Sequence, residues 1–258
     1  MSDASDEMTF WDHLDVLRGS IIRMIVVAVV FAVAAFCLKD WLFRIMLAPA
    51  SSDFITYRLL GVSPFRIHLI NVGLTEQFMI HMKTALVMGF YAASPYVLYL
   101  LYRFVAPALY SNERRYAGRI VTAGYVMFVI GTLVSYFLVF PLTVRFLGTY
   151  QVSDAVSNML SLQSYMDTLL MLTLALGIVF ELPVISWLLA LAGLLRPEWM
   201  TRYRRHAVVV ILIVAAVITP TSDALTLFVV ALPIWLLYEA SILIVKATYK
   251  SKRHAKKD

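Results

Sequence analysis

Residues 20–38 read SIIRMIVVAVVFAVAAFCL, an apolar stretch in which Arg23 is the single charged residue. At about 1.5 Å of rise per residue, a helix of this length covers roughly 29 Å, close to the hydrocarbon thickness of a bilayer. The segment before it, MSDASDEMTFWDHLDVLRG, is acidic and amphipathic, whereas a cleavable signal peptide begins with basic residues. The stretch therefore predicts a membrane-spanning helix that remains in the mature protein.

Five further apolar stretches follow along the 258-residue chain, at 78–101, 120–142, 165–194, 207–219 and 224–245. The chain is 61% hydrophobic and only 15% charged, so its apolar residues need lipid as their solvent. We therefore predict an all-α polytopic membrane protein with six transmembrane helices, folded as a single integral membrane domain. Within it, residues 1–19 are expected to form an interfacial helix, 20–246 the six-helix bundle, and 247–258 a basic tail at anionic headgroups.

Two of the stretches differ from a regular span. Residues 165–194 are long enough to need tilt or a bend, and the missing N–H of Pro183 favours a bend there. Residues 207–219 cover only about 20 Å and are followed by the turn sequence PTSD at 220–223. Asp223 is placed to cap the start of the last helix.

The basic residues predict the orientation of the chain. If the amino terminus is cytoplasmic, the loops and tail on that side hold 14 Lys and Arg, against five in the opposite loops. Since basic residues are enriched in cytoplasmic loops, both termini are predicted to lie on the cytoplasmic side.

Ionisable residues at membrane depth are the strongest candidates for function, because a centred charge costs about 2.5–3.5 kcal/mol to insert. Glu181 and Glu239 are predicted at such depths, and each is expected to be protonated or to face a hydrated recess or a polar partner. Function is favoured for Glu181, which lies next to Pro183, whereas function and structure are balanced for Glu239. Three other residues, His81, Lys83 and Asp167, are expected near the outer ends of spans, where a long side chain reaches water at little cost, so a structural role is favoured for them.

Signatures of catalysis and cofactor binding are missing from the sequence. The five histidines are scattered, and the sequence contains no H-E-x-x-H, C-x-x-C, G-x-S-x-G, P-loop or G-x-G-x-x-G pattern. We therefore predict no enzymatic activity, no metal site and no cofactor.

Five short motifs stand out along the chain: FVAPALYSNERR at 104–115, YFLVFPL at 136–142, FELP at 180–183, LAP at 47–49 and TPTSD at 219–223. Together they resemble the TatC family, the multispanning receptor subunits of the twin-arginine protein translocase, and the resemblance extends over residues 8–246. It implies a cupped six-helix bundle in the bacterial cytoplasmic (inner) membrane. It also implies a receptor for twin-arginine signal peptides of folded precursors, which assembles with TatA- and TatB-type single-span partners and further copies of itself for transport driven by the proton-motive force.

The family binds the signal peptide through its amino-terminal segment and first cytoplasmic loop. Carried over to this chain, the resemblance singles out Phe104, Pro107, Tyr110 and Glu113 in the loop. A carboxylate such as Glu113 can accept two parallel hydrogen bonds from a guanidinium, which selects arginine over lysine.

The amino-terminal motif of the family, H-L-x-E-L-R, is altered here, because Val16 stands where the glutamate is expected. Asp15 is adjacent, but a shift of one position turns a helical side chain by about 100°. Asp12, one turn from Val16, is the better substitute on geometry. Arg18 retains the arginine of the motif.

The membrane glutamates of the family map to Glu181 and Glu239, and the resemblance implies that Glu181 faces a concave, hydrated surface. Partner helices of the family dock along the short fifth and the sixth spans, where Thr219 and Asp223 lie. Leu227 stands where many relatives carry glutamine. Two alternatives stay open: a proton-coupled small-solute transporter that uses the two glutamates, although repeated halves are not visible, and an intramembrane enzyme.

Overall fold

The computed structural model describes residues 10–61, 65, 67–105, 117–150, 153, 159–219 and 223–254. The backbone of these residues is mostly helical, which confirms the predicted all-α class. The helices are α1 (Phe10–Cys37), α2 (Lys39–Leu47), α3 (Ile55–Leu59), α4 (Glu76–Val105), α5 (Ala117–Val134), α6 (Phe140–Thr149), α7 (Leu162–Val179), α8 (Leu182–Leu191), α9 (Pro197–Arg202), α10 (Arg204–Ile218) and α11 (Ala224–His254). Two short strands, β1 (Leu69–Ile70) and β2 (Leu160–Ser161), pair in parallel.

All six apolar stretches lie in helices, so the polytopic membrane architecture is confirmed. Among the described residues, five helical segments are long and apolar enough to cross a membrane: Leu14–Cys37, Glu76–Phe104, Gly118–Thr149, Leu162–Leu191 and Ala224–Lys250. The remaining apolar helix, α10, has 15 residues and covers about 22 Å, so it is short, as its sequence predicts.

The first and last helices extend beyond the boundaries drawn from hydropathy. Helix α1 runs without interruption across residue 19, so residues 10–19 form one continuous helix with the first span. Helix α11 likewise continues past residue 246 to His254, into the basic tail. Charged residues at these ends can remain in water while the backbone stays helical, and hydropathy therefore does not mark where a helix ends.

The third span contains a π-helical turn, Ser135–Val139, between α5 and α6. Pro141 in the first turn of α6 has no N–H to donate to Phe137 O, four residues earlier, and this carbonyl accepts from Thr56 Oγ1 instead. Because the π-turn joins two helical segments, the span continues to Thr149, beyond the predicted end at residue 142.

The fourth span is interrupted at Phe180 and Glu181, two residues before Pro183, where the sequence predicts a bend. The Phe180 N–H still donates to Leu176 O at 2.9 Å, and the Ile185 N–H restarts the ladder on Glu181 O at 2.9 Å. Pro183 occupies the first turn of α8. The break therefore leaves Glu181 at the junction of two helices.

Glycines allow the helices to approach closely at two crossings. A Cβ on Gly89 of α4 would lie 2.5 Å from Ala32 N and 2.6 Å from Ala28 O of α1. A Cβ on Gly131 of α5 would lie 2.7 Å from the side chain of Phe180. Close backbone approach through small residues is the usual packing mode of membrane helices.

A buried tyrosine ties together the loop after α2 and the start of α6. The Tyr57 hydroxyl donates to Pro49 O and Pro141 O, each at 3.0 Å. Burial raises the pKa of Tyr57, while Arg145 acts weakly in the opposite direction, so the hydroxyl stays a neutral donor. Two prolines from separate sequence motifs are thereby held against one side chain.

Glu76, at the start of α4, links three chain segments through its carboxylate. Its Oε2 accepts hydrogen bonds from the N–H groups of Val72 at 3.1 Å and Gly73 at 2.8 Å. Its Oε1 accepts from the N–H of Gln163 at 2.9 Å, in the first turn of α7. This end of the bundle is therefore fixed by a carboxylate that the sequence analysis did not single out.

Candidate functional site

Glu181 is held at the break between α7 and α8, where its side chain faces α5. A Cβ on Gly124 of α5 would lie 3.1 Å from Glu181 Oε2. A larger residue at position 124 would therefore crowd the carboxylate. The break near Pro183 and the glycine in α5 together create the room that the carboxylate occupies.

A cavity of about 290 Å³ adjoins this carboxylate. Apart from Glu181, Ser94 and Tyr102, its walls are apolar or glycine: Phe90, Val97, Leu98, Leu101, Ile120, Val121, Gly124, Phe128, Ile178, Val184, Ile185 and Leu188. Glu181 Oε1 is buried and has no hydrogen-bond partner among the described residues. A buried carboxylate oxygen without a partner is costly, so the site favours any donor that enters the cavity.

Glu239 is in a different environment. Its Oε2 lies 2.8 Å from Nη2 of Arg204, the first residue of α10, and the two side chains form an ion pair. The polar partner expected for Glu239 is therefore Arg204, which the sequence had marked only as one of the basic residues of a predicted cytoplasmic loop. Because the pair compensates its charge, Glu239 does not offer the same vacant acceptor as Glu181.

The start of α1 and the end of α4 form a recess of about 370 Å³. It is lined by residues from both helices: Asp15, Val16, Gly19, Ser20, Arg23, Leu100 and Arg103. Asp15, Val16 and Arg18 are exposed in the structure. Asp12 lies on the same helix, but its side chain is outside the described residues.

The first loop after α4 is only partly described. Phe104 is half-buried in the last turn of α4. Pro107, Tyr110 and Glu113 fall outside the described residues, and their predicted roles therefore stay predictions.

The predicted partner-docking residues sit at the junction of α10 and α11. Thr219 is only 6% exposed, and its Oγ1 donates to Ala215 O of its own helix at 2.9 Å. Asp223 Oδ1 accepts from the Thr226 N–H at 2.7 Å, which confirms Asp223 as the cap of α11. Leu227 is half-buried and packs against the core.

The three ionisable residues assigned to the outer interface have structural partners. Lys83 Nζ lies 2.9 Å from Asp167 Oδ1, joining α4 to α7. The ring of His81 stacks on Phe36 at a centroid distance of 4.0 Å, and its Nε2 lies 3.1 Å from Phe36 O. These contacts agree with the structural interpretation of the three residues.

Sequence reasoning missed Gly124 and Arg204, which decide the environments of the two glutamates. A glycine inside an apolar span is a usable signal, because such glycines mark close approaches. The pairing of Arg204 with Glu239 had no local signal, since 35 residues separate them.

Comparison with known proteins agrees with this architecture. The family model described as Sec-independent protein translocase protein (TatC) matches residues 12–233. A TatC protein of Carboxydothermus hydrogenoformans is 32% identical over 93% of this chain and 93% of its own length. One of Aquifex aeolicus is 32% identical over 97% of this chain and 100% of its own. A crystal structure of a twin-arginine translocase receptor, TatC, superposes with a TM-score of 0.78 at 33% identity, covering 92% of this chain and 99% of that one. The chain belongs to the TatC family of Sec-independent protein translocase components.

Proposed function

We propose that this protein is the receptor and core subunit of a twin-arginine translocase. It binds the twin-arginine signal peptides of folded precursors at the cytoplasmic face of the bacterial inner membrane. It has no enzymatic activity of its own, and it assembles with TatA- and TatB-type single-span partners and with further copies of itself for transport driven by the proton-motive force.

The observation that carries the proposal is the meeting of two distant chain segments at one end of the bundle. Residues 15–23 of α1 and residues 100–103 of α4 line the same recess. The loop that begins after Phe104 therefore starts beside the amino-terminal segment, and a peptide can contact both. The signal-peptide residues proposed here are Asp12, Asp15 and Arg18 on α1, with the loop residues Phe104, Pro107, Tyr110 and Glu113.

Glu181 contributes within the membrane in this proposal. Its buried Oε1 has no partner in the described part of the chain, and the adjoining cavity has room for a side chain from an incoming helix. A polar group on such a helix gains a hydrogen bond that lipid cannot supply. Glu239 contributes through its ion pair with Arg204, which joins the two helices α10 and α11.

The short helix α10 and the start of α11 form the docking surface for the single-span partners in this proposal. Val217, near the end of α10, is 70% exposed, and Phe228 on α11 is 63% exposed. Asp223 contributes by capping the start of α11. Thr219 contributes at the end of α10, where its hydroxyl donates to Ala215 O.

A crosslinking experiment tests the receptor function. Photoreactive groups placed in loop 104–114 should label a twin-arginine signal peptide, and Glu113→Gln should weaken binding about tenfold or more, as expected for one lost charge-assisted hydrogen bond. Glu198→Gln is the matched control, because Glu198 is an exposed carboxylate in α9, in the loop predicted on the same side of the membrane.

A twin-lysine peptide serves as the second control, since an ammonium cannot make the paired hydrogen bonds of a guanidinium. Equal labelling by the twin-lysine and twin-arginine peptides would contradict the proposal. So would equal losses of binding in Glu113→Gln and Glu198→Gln.

A further inference from the structure

The recess between the start of α1 and the end of α4 carries an excess of positive charge. Two of its lining residues are arginines, Arg23 and Arg103, and one is a carboxylate, Asp15. Among the described residues, no ion pair joins either arginine to an acidic side chain. The recess thus presents two guanidinium groups with one partly compensating charge.

The two arginines converge on the recess because the helices are antiparallel. Gly89 of α4 meets Ala28 and Ala32 of α1, whereas Leu100, further along α4, meets the earlier part of α1. Arg23 of α1 and Arg103 of α4 therefore both line the recess, one from each helix.

The floor of the recess admits a small polar group. Gly19 has no other atom within 4 Å of the position where a Cβ would lie, so the helix surface there is open. Ser20, beside it, is buried and places a hydroxyl in the wall. The spacing of residues 16, 19, 20 and 23 puts these positions on one face of α1.

The recess lies at the ends of two candidate spans and beside exposed apolar side chains. The candidate spans begin at Leu14 in α1 and end at Phe104 in α4, so the recess is at the ends of both. Ile22 and Leu101, next to lining residues of the recess, are 51% and 45% exposed. A molecule with an anionic head and apolar chains fits this combination, whereas a soluble anion would use only the arginines.

We propose that this recess is a binding site for an anionic phospholipid, with the lipid phosphate held between Arg23 and Arg103. Guanidinium groups bind phosphate oxygens in paired, charge-assisted hydrogen bonds, which an ammonium does not reproduce. The acyl chains lie along the exposed aliphatic side chains of α1. The lipid site shares the recess, including Asp15, with the proposed signal-peptide site, but it binds its ligand through the two arginines rather than through carboxylates.

Titration of the delipidated, purified full-length protein with phosphatidylglycerol, in detergent and without any signal peptide, tests the site. Native mass spectrometry counts bound lipids and gives the apparent Kd. Arg23→Gln and Arg103→Gln are each expected to weaken phosphatidylglycerol binding about tenfold, the size of one lost charge-assisted hydrogen bond. Phosphatidylcholine, whose phosphate is paired with its own choline cation, is expected to bind more weakly than phosphatidylglycerol and to lose less affinity in both variants.

Arg205→Gln is the matched control, because Arg205 is an exposed arginine in α10, outside the recess and predicted on the same side of the membrane. Arg23→Lys and Arg103→Lys keep the charge and are expected to restore only part of the affinity. If Arg205→Gln weakens phosphatidylglycerol binding as much as Arg23→Gln and Arg103→Gln do, the lipid responds to the total charge of the protein, and the proposed site is wrong. Displacement of the lipid by millimolar inorganic phosphate would overturn the assignment to a phospholipid.

The lipid and receptor proposals can fail independently. Lipid binding is measured without peptide, and the peptide crosslinking depends on Glu113 rather than on the two arginines. Wild-type lipid affinity in both arginine-to-glutamine variants, with folding verified by size-exclusion elution and circular dichroism, would overturn the lipid site and leave the receptor function standing.

Discussion

The crossing of α1 and α4 at Gly89 offers a direct test of how the bundle is held together. A Cβ at position 89 would lie 2.5 Å, 2.6 Å and 2.7 Å from three backbone atoms of α1. Because carbon contacts are comfortable only from about 3.5 Å, Gly89→Ala must push the two helices apart by roughly 1 Å. Backbone atoms cannot rotate away, so the strain falls on the whole interface.

The cost of this overpacking is about 1–3 kcal/mol, partly offset by the better helix propensity of alanine, about 1 kcal/mol. Gly19→Ala in α1 is the matched control, because a Cβ at position 19 would have no neighbour within 4 Å. Both glycines lie inside long helices, so the difference between the two variants isolates the clash. Gly89→Ala should therefore be less stable than Gly19→Ala by about 1–3 kcal/mol.

Reversible unfolding in mixed micelles, with increasing mole fractions of sodium dodecyl sulfate, measures this difference. Helix α1 packs mainly on α4 within the described residues, so a loosened contact has no other large interface to replace it. If Gly89→Ala and Gly19→Ala unfold at the same detergent fraction, the close crossing contributes nothing and the packing argument is wrong.

Two further predictions concern charged groups that join helices. Glu76→Gln replaces one acceptor oxygen by an N–H₂ group, which then faces the backbone N–H donors of Val72 and Gly73 or that of Gln163. Because two donors cannot bond to each other, the thermal unfolding midpoint of Glu76→Gln should fall clearly below that of the control Glu198→Gln. Equal midpoints would contradict the linking role of Glu76. Lys83→Met removes the cation of the half-exposed Lys83–Asp167 pair and should lower the free energy of unfolding by less than about 1 kcal/mol in the detergent unfolding assay. A larger loss of stability would contradict this, because it would mean that the pair behaves as a buried link.

The spans were predictable from the sequence because a bilayer imposes a length on each apolar stretch. The break near Pro183 and the cap at Asp223 were also predictable, because each follows from local backbone chemistry. Helix ends were not predictable in this way. Residues 10–19 mix apolar and charged side chains, and residues 247–254 are mostly polar. Hydropathy does not distinguish such a helical extension from a separate segment.

Contacts between distant residues account for the rest of what the sequence did not predict. Glu76 and Gln163 are 87 residues apart, and the hydroxyl of Tyr57 reaches a carbonyl 84 residues away. Neither residue belongs to a pattern whose spacing carries information about its partner. The candidate site was therefore half predictable: Glu181 stood out by its depth, but the glycine that makes room for it did not.

The ionisable groups discussed above are of two kinds, and the difference between them bears on function. Lys83 with Asp167 and Arg204 with Glu239 each join two helices through opposite charges, so their net effect is structural. Glu181 has no such partner in the part of the chain that the structure describes, and it lies at a helix break beside a cavity. A carboxylate used only for stability would be expected to have acquired a partner, because an uncompensated buried oxygen weakens the fold. Its isolation is explained if the missing donor belongs to another molecule that enters the cavity during transport, as the proposed function requires.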